Sequence, residues 1–208
     1  MKGKVAVVTG SNIGIGKETA VALASLGATT VLACRNQEKA KAAQADVVER
    51  SGHDDVHLVT LDLADLESVK AAASDILSRW DRLDVLVNNA GGVWTERHTT
   101  EQGFEQTVGV NHIGPFLLTN LLLARLKASA PSRIVNVSSV GHHMAFRGMR
   151  STTCRASIAI QAWRPTVARS WQTSSSHASS PSGSRAPVSP PMPCTRGPCG
   201  VASAWTAT

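Results

Sequence analysis

Three glycines in the segment TGSNIGIG, residues 9–16, form the first feature of the sequence that could do chemistry. The segment follows a short β-branched run, Val5–Thr9, and precedes a helical pattern. Gly10 permits a tight turn, Gly14 lets the backbone approach a ligand, and Gly16 lets the helix pack closely. The free N–H groups of a helix N-terminus placed here bind phosphate, so the turn predicts a dinucleotide site. The alternative is a strand-to-helix turn that uses glycine for its shape alone.

The predicted phosphate-binding site consists of all residues from 10 to 16. These residues are Gly10, Ser11, Asn12, Ile13, Gly14, Ile15 and Gly16.

Apolar runs alternate with helical patterns in the segment that follows. The predicted strands are Val5–Thr9, Thr29–Ala33, Val56–Leu61, Leu83–Val87 and Arg133–Val137. The predicted helices are Lys17–Leu26, Asn36–Arg50, Leu66–Trp80 and Phe104–Ala128. Strands that are apolar throughout and separated by helices indicate a parallel sheet covered on both faces. The predicted fold is α/β, a Rossmann-like doubly wound parallel sheet that is truncated after its fifth strand.

The composition changes abruptly near residue 150. All 15 acidic residues and all seven lysines precede this point, and the remainder is rich in Ser, Pro, Thr and Ala. Helical and strand periodicity also stop there. We therefore expect residues 1–150 to form a dinucleotide-binding domain, and residues 151–208 to be a low-complexity tail that is disordered or irregular.

Charge and cysteine usage argue against several classes of function. Five scattered arginines of the tail supply most of the formal net charge of +6, which argues against nucleic-acid binding. The four cysteines form no CxxC pair, so neither a metal site nor a disulfide framework is expected. The N-terminus has no signal-peptide pattern and no apolar run of membrane-spanning length is evident, so no membrane anchor and a cytoplasmic location are expected.

Four blocks of the sequence, TGSNIGIG, LDLAD, NNAG and RIVNVSS, together resemble the short-chain dehydrogenase/reductase family. The phrases ACRN, NHIGPFLLTNLLL and RIVNVSSVGHH are similar to its retinol-dehydrogenase-like group. The resemblance runs from Val5 to about Arg150. It implies an oxidoreductase that transfers hydride between a nicotinamide dinucleotide and a lipophilic alcohol or carbonyl substrate.

The resemblance assigns further cofactor-binding residues. Asp62 would meet the adenine amino group, and Leu63 would pack beside the ring. Asn88, Ala90 and Gly91 would line the cofactor groove after the fourth strand.

Arg35 follows the second strand, where a site that prefers NAD would carry a carboxylate for the ribose hydroxyls. A guanidinium at this position suits a 2′-phosphate, because it forms paired charge-assisted hydrogen bonds. NADP is therefore the first choice of cofactor and NAD the second. The alternative reading of Arg35 is a solvated residue at the start of a helix.

The resemblance also implies a catalytic pair. Ser139 would hold the substrate oxygen, in preference to Ser138, and Asn111 would anchor a water of a proton relay. A polar group that satisfies a break in a helix is the alternative reading of Asn111.

The expected proton donor is absent from the sequence. The family uses a tyrosine four residues before a lysine, but this chain has no tyrosine and no lysine after Lys127. The His142–His143 pair could be imagined as a substitute base, but it is part of the related phrase and is not expected to act.

The abrupt change of composition suggests the hypothesis of a change of reading frame. Residues 151–157, STTCRAS, can be encoded so that a shift of one base reads FDDLQGE, which resembles the continuation of the family. The same shift through residues 158–176 allows a YxxxK motif.

Three functions remain open at this stage. The chain is an oxidoreductase, a catalytically dead remnant that binds a dinucleotide, or a binding module whose tail recruits a partner. Family members commonly form homo-oligomers through two long helices, of which only the one ending near Lys127 is evident here.

Overall fold

The structure of the chain is a computed structural model that describes residues 1–94, 96–139 and 202–207. Its strands are β1 Val5–Thr9, β2 Thr29–Cys34, β3 Val56–Thr60, β4 Val85–Asn88, β5 Ser132–Val137 and β6 Ala202–Ala207. Its helices are α1 Gly14–Ser25, α2 Gln37–Ser51, α3 Leu66–Arg79, α4 Gln106–Val108 and α5 Gly114–Ala128. A π-helical turn, Gly109–Ile113, joins α4 to α5.

The strands form one sheet in the order β3-β2-β1-β4-β5-β6. The first five strands are parallel, which confirms the predicted Rossmann-like fold. Because the chain returns from β3 at one edge to β4 beside β1, strand order reverses between β1 and β4.

Two apolar clusters cover the two faces of the sheet. One contains the leucines of α5 that recur every fourth residue, Leu118, Leu122 and Leu126, packed with residues of α3. The other contains Ala20 and Ala24 of α1 with Val47 of α2. Burial of a leucine or valine side chain contributes about 1.5–3 kcal/mol, so these helical faces hold the two layers on the sheet.

The sheet has a sixth strand that the sequence did not predict. The parallel part ends at β5, as expected, but β6 pairs with β5 in antiparallel register, with Ile134 opposite Trp205. The sheet was predicted to be truncated after its fifth strand, but β5 is not its edge strand, because β6 pairs with it. The remaining tail residues, with Cys154, Cys194 and Cys199, lie outside the described residues.

The predicted long helix, Phe104–Ala128, is divided into α4, the π-helical turn and α5. Its α4–α5 part, Gln106–Ala128, is long and apolar enough by length and composition to cross a membrane. The expectation that no run of this length exists does not hold for this stretch. Core helices meet the same criterion, and one face of α5 is packed in the core.

Candidate functional site

The candidate site lies where the carboxyl ends of β1 and β4 meet. Val8 of β1 is in register with Val87 of β4, so the segments that follow the two strands leave the sheet side by side. In open parallel sheets a ligand binds in the crevice beyond the strand ends at such a reversal of strand order. The topology therefore places the glycine turn and the NNAG segment on opposite walls of one crevice.

The glycine turn has no room for side chains at two positions. A Cβ on Gly10 would lie 2.8 Å from the Cα of Ala90, and one on Gly16 would lie 2.4 Å from Asn89 Nδ2. Gly10 and Gly14 also adopt positive φ angles, 65° and 56°, which residues with a Cβ rarely adopt. The turn thus presses against the segment after β4 and keeps the backbone free of side chains.

The N-terminus of α1 opens onto this turn. Within the described part of the chain, no side chain caps the helix at Ile13, and its first turn contains no acidic residue. The first N–H groups of such a helix are donors for an anion, and the helix dipole favours negative charge there. Gly14 has open space where a side chain would stand, so the backbone can be approached closely. These features fit the diphosphate of a dinucleotide.

The side chains of the turn divide between the core and the surface. Ser11 is buried, and its hydroxyl donates to the carbonyl of Val8 at 2.9 Å. Ile13 and Ile15 are exposed, at 68% and 66%. Asn12 is half-buried. The backbone of these residues, more than their side chains, is therefore available to a ligand.

A bridge between the two walls involves residues that sequence reasoning missed. Asn89 Nδ2 donates to the carbonyls of Thr9 and Gly10 at 2.9 and 3.3 Å. In return, the Thr9 hydroxyl accepts from the backbone N–H groups of Asn89 and Ala90, both at 3.0 Å. Asn89 stands inside the NNAG motif, but only the pairing of β1 with β4 brings it to a residue 80 positions away.

Asn88, expected to line the groove, is instead buried at the end of β4. Its Nδ2 donates to Thr119 Oγ1 of α5 at 3.0 Å and to Asn136 Oδ1 of β5 at 2.9 Å. The side chain therefore ties β4 to β5 and α5. Ala90, by contrast, lies against Gly10 on the crevice wall.

Asn111 lies in the π-helical turn and binds the loop after β4. The N–H of Gly92 donates to Asn111 Oδ1 at 2.9 Å, and Asn111 Nδ2 donates to the Gly92 carbonyl at 2.9 Å. Gly91 is close by, because a Cβ there would lie 3.2 Å from the same Oδ1. Such π-helical turns are frequent at functional sites. Both polar atoms of the Asn111 amide are bonded to the main chain of Gly92, so its side chain holds the wall of the crevice.

Arg35 and Asp62 meet at the other end of the crevice, beyond β2 and β3. Their closest charged atoms, Arg35 Nη1 and Asp62 Oδ2, are 3.9 Å apart. The Arg35 side chain is 67% exposed, so its guanidinium is accessible to an anion. Asp62 also accepts from the N–H of Ala64 at 2.9 Å, which fixes its carboxylate.

Leu63 is buried, and its side chain belongs to the core cluster under α5. A Cβ on Gly114 would lie 2.5 Å from its carbonyl oxygen. The residue therefore packs the start of α5 against the segment after β3.

Ser138 and Ser139 follow the end of β5, on the same edge of the sheet as the NNAG segment. Ser139 is exposed and Ser138 half-buried. His142 and His143 lie outside the described residues.

Comparison with known proteins identifies the family. The family model described as short chain dehydrogenase matches residues 4–154, which is more than half of the 208 residues. The chain belongs to the short-chain dehydrogenase family.

Curated proteins similar to this chain include retinol dehydrogenases. Retinol dehydrogenase 11 of Mus musculus is 51% identical over 144 residues, which are 69% of this chain and 46% of that protein. Retinol dehydrogenase 13 of Homo sapiens is 44% identical over 184 residues, which are 83% of this chain and 56% of that protein. The chain thus spans about half the length of the curated relatives it matches.

Solved structures of short-chain dehydrogenases have the same fold. One from Escherichia coli CFT073, complexed with NADPH, is 26% identical with a TM-score of 0.66, over 83% of this chain and 68% of that one. A metagenomic short-chain oxidoreductase in complex with NADP is 29% identical with a TM-score of 0.64, over 85% of this chain and 76% of that one.

Proposed function

We propose that this chain binds NADP in the crevice between β1 and β4, and that it derives from an oxidoreductase acting on a lipophilic alcohol or carbonyl compound. The observation that carries the proposal is the glycine turn, whose Gly10 and Gly16 leave no room for a Cβ beside an uncapped helix N-terminus. The diphosphate would lie on this turn, because N–H donors and the helix dipole attract it there. The relatives named as retinol dehydrogenases support the substrate class.

The preference for NADP over NAD rests on Arg35. Its exposed guanidinium lies beyond β2, 3.9 Å from Asp62, at the end of the crevice suited to the adenosine. A 2′-phosphate would form charge-assisted hydrogen bonds with this guanidinium. The NADP and NADPH complexes of structurally similar proteins support the same cofactor.

The nicotinamide of NADP, when bound, accepts or donates hydride. Ser139 would donate a hydrogen bond to the substrate oxygen, where hydride transfer to a carbonyl leaves negative charge. Asn111 would keep the Gly92 peptide, and with it the wall beside the substrate, in place. No tyrosine is present in the chain to supply the proton that the family takes from that side chain.

A second candidate function is therefore dinucleotide binding without catalysis. The lack of tyrosine anywhere in the chain, and of lysine after Lys127, favours it. Loss of a general acid or base lowers a rate about 10²–10⁴-fold. Measured NADPH consumption with a panel of aldehydes separates the two candidates, since a silent binder retains NADP affinity while it turns over none of them.

Calorimetric titration of the full chain with NADP and with NAD tests the proposal. We expect NADP to bind more tightly, and Arg35→Ala to weaken NADP about 10- to 100-fold while NAD affinity is unchanged, as expected for lost charge-assisted bonds. Lys41→Ala is the control, because Lys41 is an equally exposed cation on α2 whose ion-pair partner is Glu38. Absence of heat with either cofactor would refute the proposed function.

A further inference from the structure

The loop that follows the NNAG segment has a fixed main chain at Gly92. Asn111 binds both polar groups of this residue, accepting from its N–H and donating to its carbonyl, each at 2.9 Å. Two such bonds from one amide hold the residue in a single orientation. Gly92 is therefore a firm support for whatever packs on it.

The indole of Trp94 packs on Gly92. Three atoms of its six-membered ring, Cη2, Cζ3 and Cζ2, lie 2.8, 3.1 and 3.3 Å from the point that a Cβ on Gly92 would occupy. Only glycine leaves room for the ring at this distance. The position of the indole is thus determined by the same residue that Asn111 fixes.

This ring lies on the substrate side of the crevice. Ala90 packs on Gly10, so the loop begins where the glycine turn ends. The loop then continues toward the π-helical turn, on the side of β4 and β5, whereas Arg35 and Asp62 lie beyond β2 and β3. With the adenosine on the side of β2, the nicotinamide and the substrate fall on the side of Trp94.

The loop offers apolar surface to a ligand. Trp94 is half-buried, its neighbour Val93 is 54% exposed, and the segment Gly91–Trp94 has no charged side chain. Pockets for small molecules are lined mainly by apolar and aromatic side chains. An uncharged rim with an aromatic ring fits a hydrocarbon chain better than an anionic substrate.

We propose that Trp94 is a specificity-determining residue, whose indole forms an aromatic wall against which the hydrocarbon part of a lipophilic ketone or aldehyde packs. The inference rests on the proposed NADP site, because that site defines which side of the crevice receives the substrate. It adds to that site a named residue and a preference for apolar chains.

The test uses calorimetry with 2-undecanone as the probe and the full chain saturated with NADP. We expect Trp94→Ala to weaken ketone binding about three- to tenfold, the usual contribution of an aromatic contact, with NADP affinity unchanged within twofold. Trp94→Phe keeps an aromatic ring and should retain most of the ketone affinity. The matched control is Trp80→Phe, since Trp80 follows α3 and packs beside His57 of β3, away from the loop.

The possible results distinguish failure of the proposed role of Trp94 from failure of the proposed NADP site. Three outcomes would overturn the proposed role of Trp94 alone. They are unchanged ketone affinity in Trp94→Ala, equal losses of ketone and NADP affinity in that variant, and NADP binding without ketone binding in the unaltered chain. Absence of NADP binding by the unaltered chain would overturn the proposed function and therefore also the proposed role of Trp94. Circular dichroism of each variant shows whether it is folded. If Trp94→Ala does not fold, Trp94→Gln, which keeps bulk but has no ring, should show the same loss of ketone affinity, and unchanged ketone affinity in Trp94→Gln would overturn the role of Trp94.

Discussion

Gly16 is the residue at which the crevice tolerates a side chain least. A Cβ there would lie 2.4 Å from Asn89 Nδ2 and 2.6 Å from the Gly10 carbonyl oxygen, so it would push apart the two walls. We expect Gly16→Ala to lower NADP affinity at least about tenfold, because the phosphate turn would shift. Overpacking of this kind should also reduce the free energy of unfolding by about 1–3 kcal/mol.

Gly52→Ala separates the loss of binding from the loss of stability. Gly52 ends α2 with a positive φ of 65° and has open space around it. Its substitution should destabilise the chain by about 1 kcal/mol through backbone strain, without a change in NADP affinity. Equal NADP affinity in Gly16→Ala and the unaltered chain, measured by calorimetry, would contradict the role given to the turn.

Asp84 is a buried carboxylate directly before β4, at the amino ends of the strands and thus opposite the crevice. It accepts from Lys4 Nζ at 2.8 Å, from the N–H of Val5 at 2.9 Å and from Arg82 Nε and Nη2 at 2.8 and 2.6 Å. Burial raises the pKa of Asp84, but the hydrogen bonds from Arg82, Lys4 and Val5 outweigh burial and lower the pKa to about 2. The ionised form of Asp84 is therefore stabilised in the folded chain.

This lowered pKa makes stability depend on pH. The pKa of an aspartate in the unfolded chain is about 4. The stabilisation by ionised Asp84 is therefore present above that pH and is lost as pH falls toward 2. We expect the free energy of unfolding to fall by about 2 kcal/mol over this range through Asp84 alone. Urea unfolding at a series of pH values measures it.

Asp84→Asn should remove that part of the pH dependence and destabilise the chain at neutral pH. The control is Asp81→Asn, which removes a fully exposed carboxylate three residues away. If both variants keep the same pH profile as the unaltered chain, Asp84 is not the group responsible.

At the scale of elements, the site depends on how the helices and strands meet. The pairing of β1 with β4 brings Thr9 to Asn89, and the π-helical turn brings Asn111 to Gly92. Each contact joins an asparagine side chain to a backbone group, that of Thr9 at the end of β1 or that of Gly92 in the loop after β4. Changes in the core helices should therefore alter the site only when they move these strand ends.

The edge of the sheet yields a prediction about β6. β6 pairs along the whole of β5, from Ser132 opposite Ala207 to Val137 opposite Ala202. An unpaired strand edge is a template for association with other chains. We expect deletion of residues 202–208 to increase self-association, measured by light scattering at several protein concentrations. Deletion of Thr208 alone is the control, and equal scattering from both truncated chains would show that β6 does not protect this edge.

At the scale of the whole molecule, the chain divides into a family-like part and a tail of different composition. The family match covers residues 4–154, and residues 151–208 contain no Asp, Glu or Lys. A change of reading frame near Arg150 is our hypothesis for the loss of acidic residues, lysine and periodicity at one point.

The frame hypothesis makes a prediction about the gene. The nucleotide sequence around the codon for Arg150 should contain an intact alternative frame that encodes FDDLQGE and then a YxxxK motif. A coding region with no such alternative frame would refute the hypothesis. The protein with the restored frame should also unfold in a sharper calorimetric transition than this chain, because it gains the helix that bears the tyrosine and lysine.

Much of the fold could be predicted from the sequence alone. Strands β1, β2 and β4 are mainly apolar and buried, and a strand buried on both faces needs apolar residues at successive positions, so local sequence suffices to find them. Helix α2 ends at Ser51, one residue beyond the predicted end at Arg50, because Gly52 then adopts the left-handed conformation. The glycine turn could be predicted for the same reason, because only glycine satisfies the steric requirements of the backbone there.

The tertiary structure decided which polar side chains face the crevice. Sequence order could not show that Asn88 joins β5 and α5 while Asn89 bridges to Thr9, since the partners of both side chains are 31 to 80 residues away in the chain. The contacts between Arg35 and Asp62 and between Trp94 and Gly92 likewise depend on where separate segments leave the sheet. Residue types alone specified the strands and the turn, whereas the partners of each polar group were set by strand pairing, which brings together residues far apart in the chain.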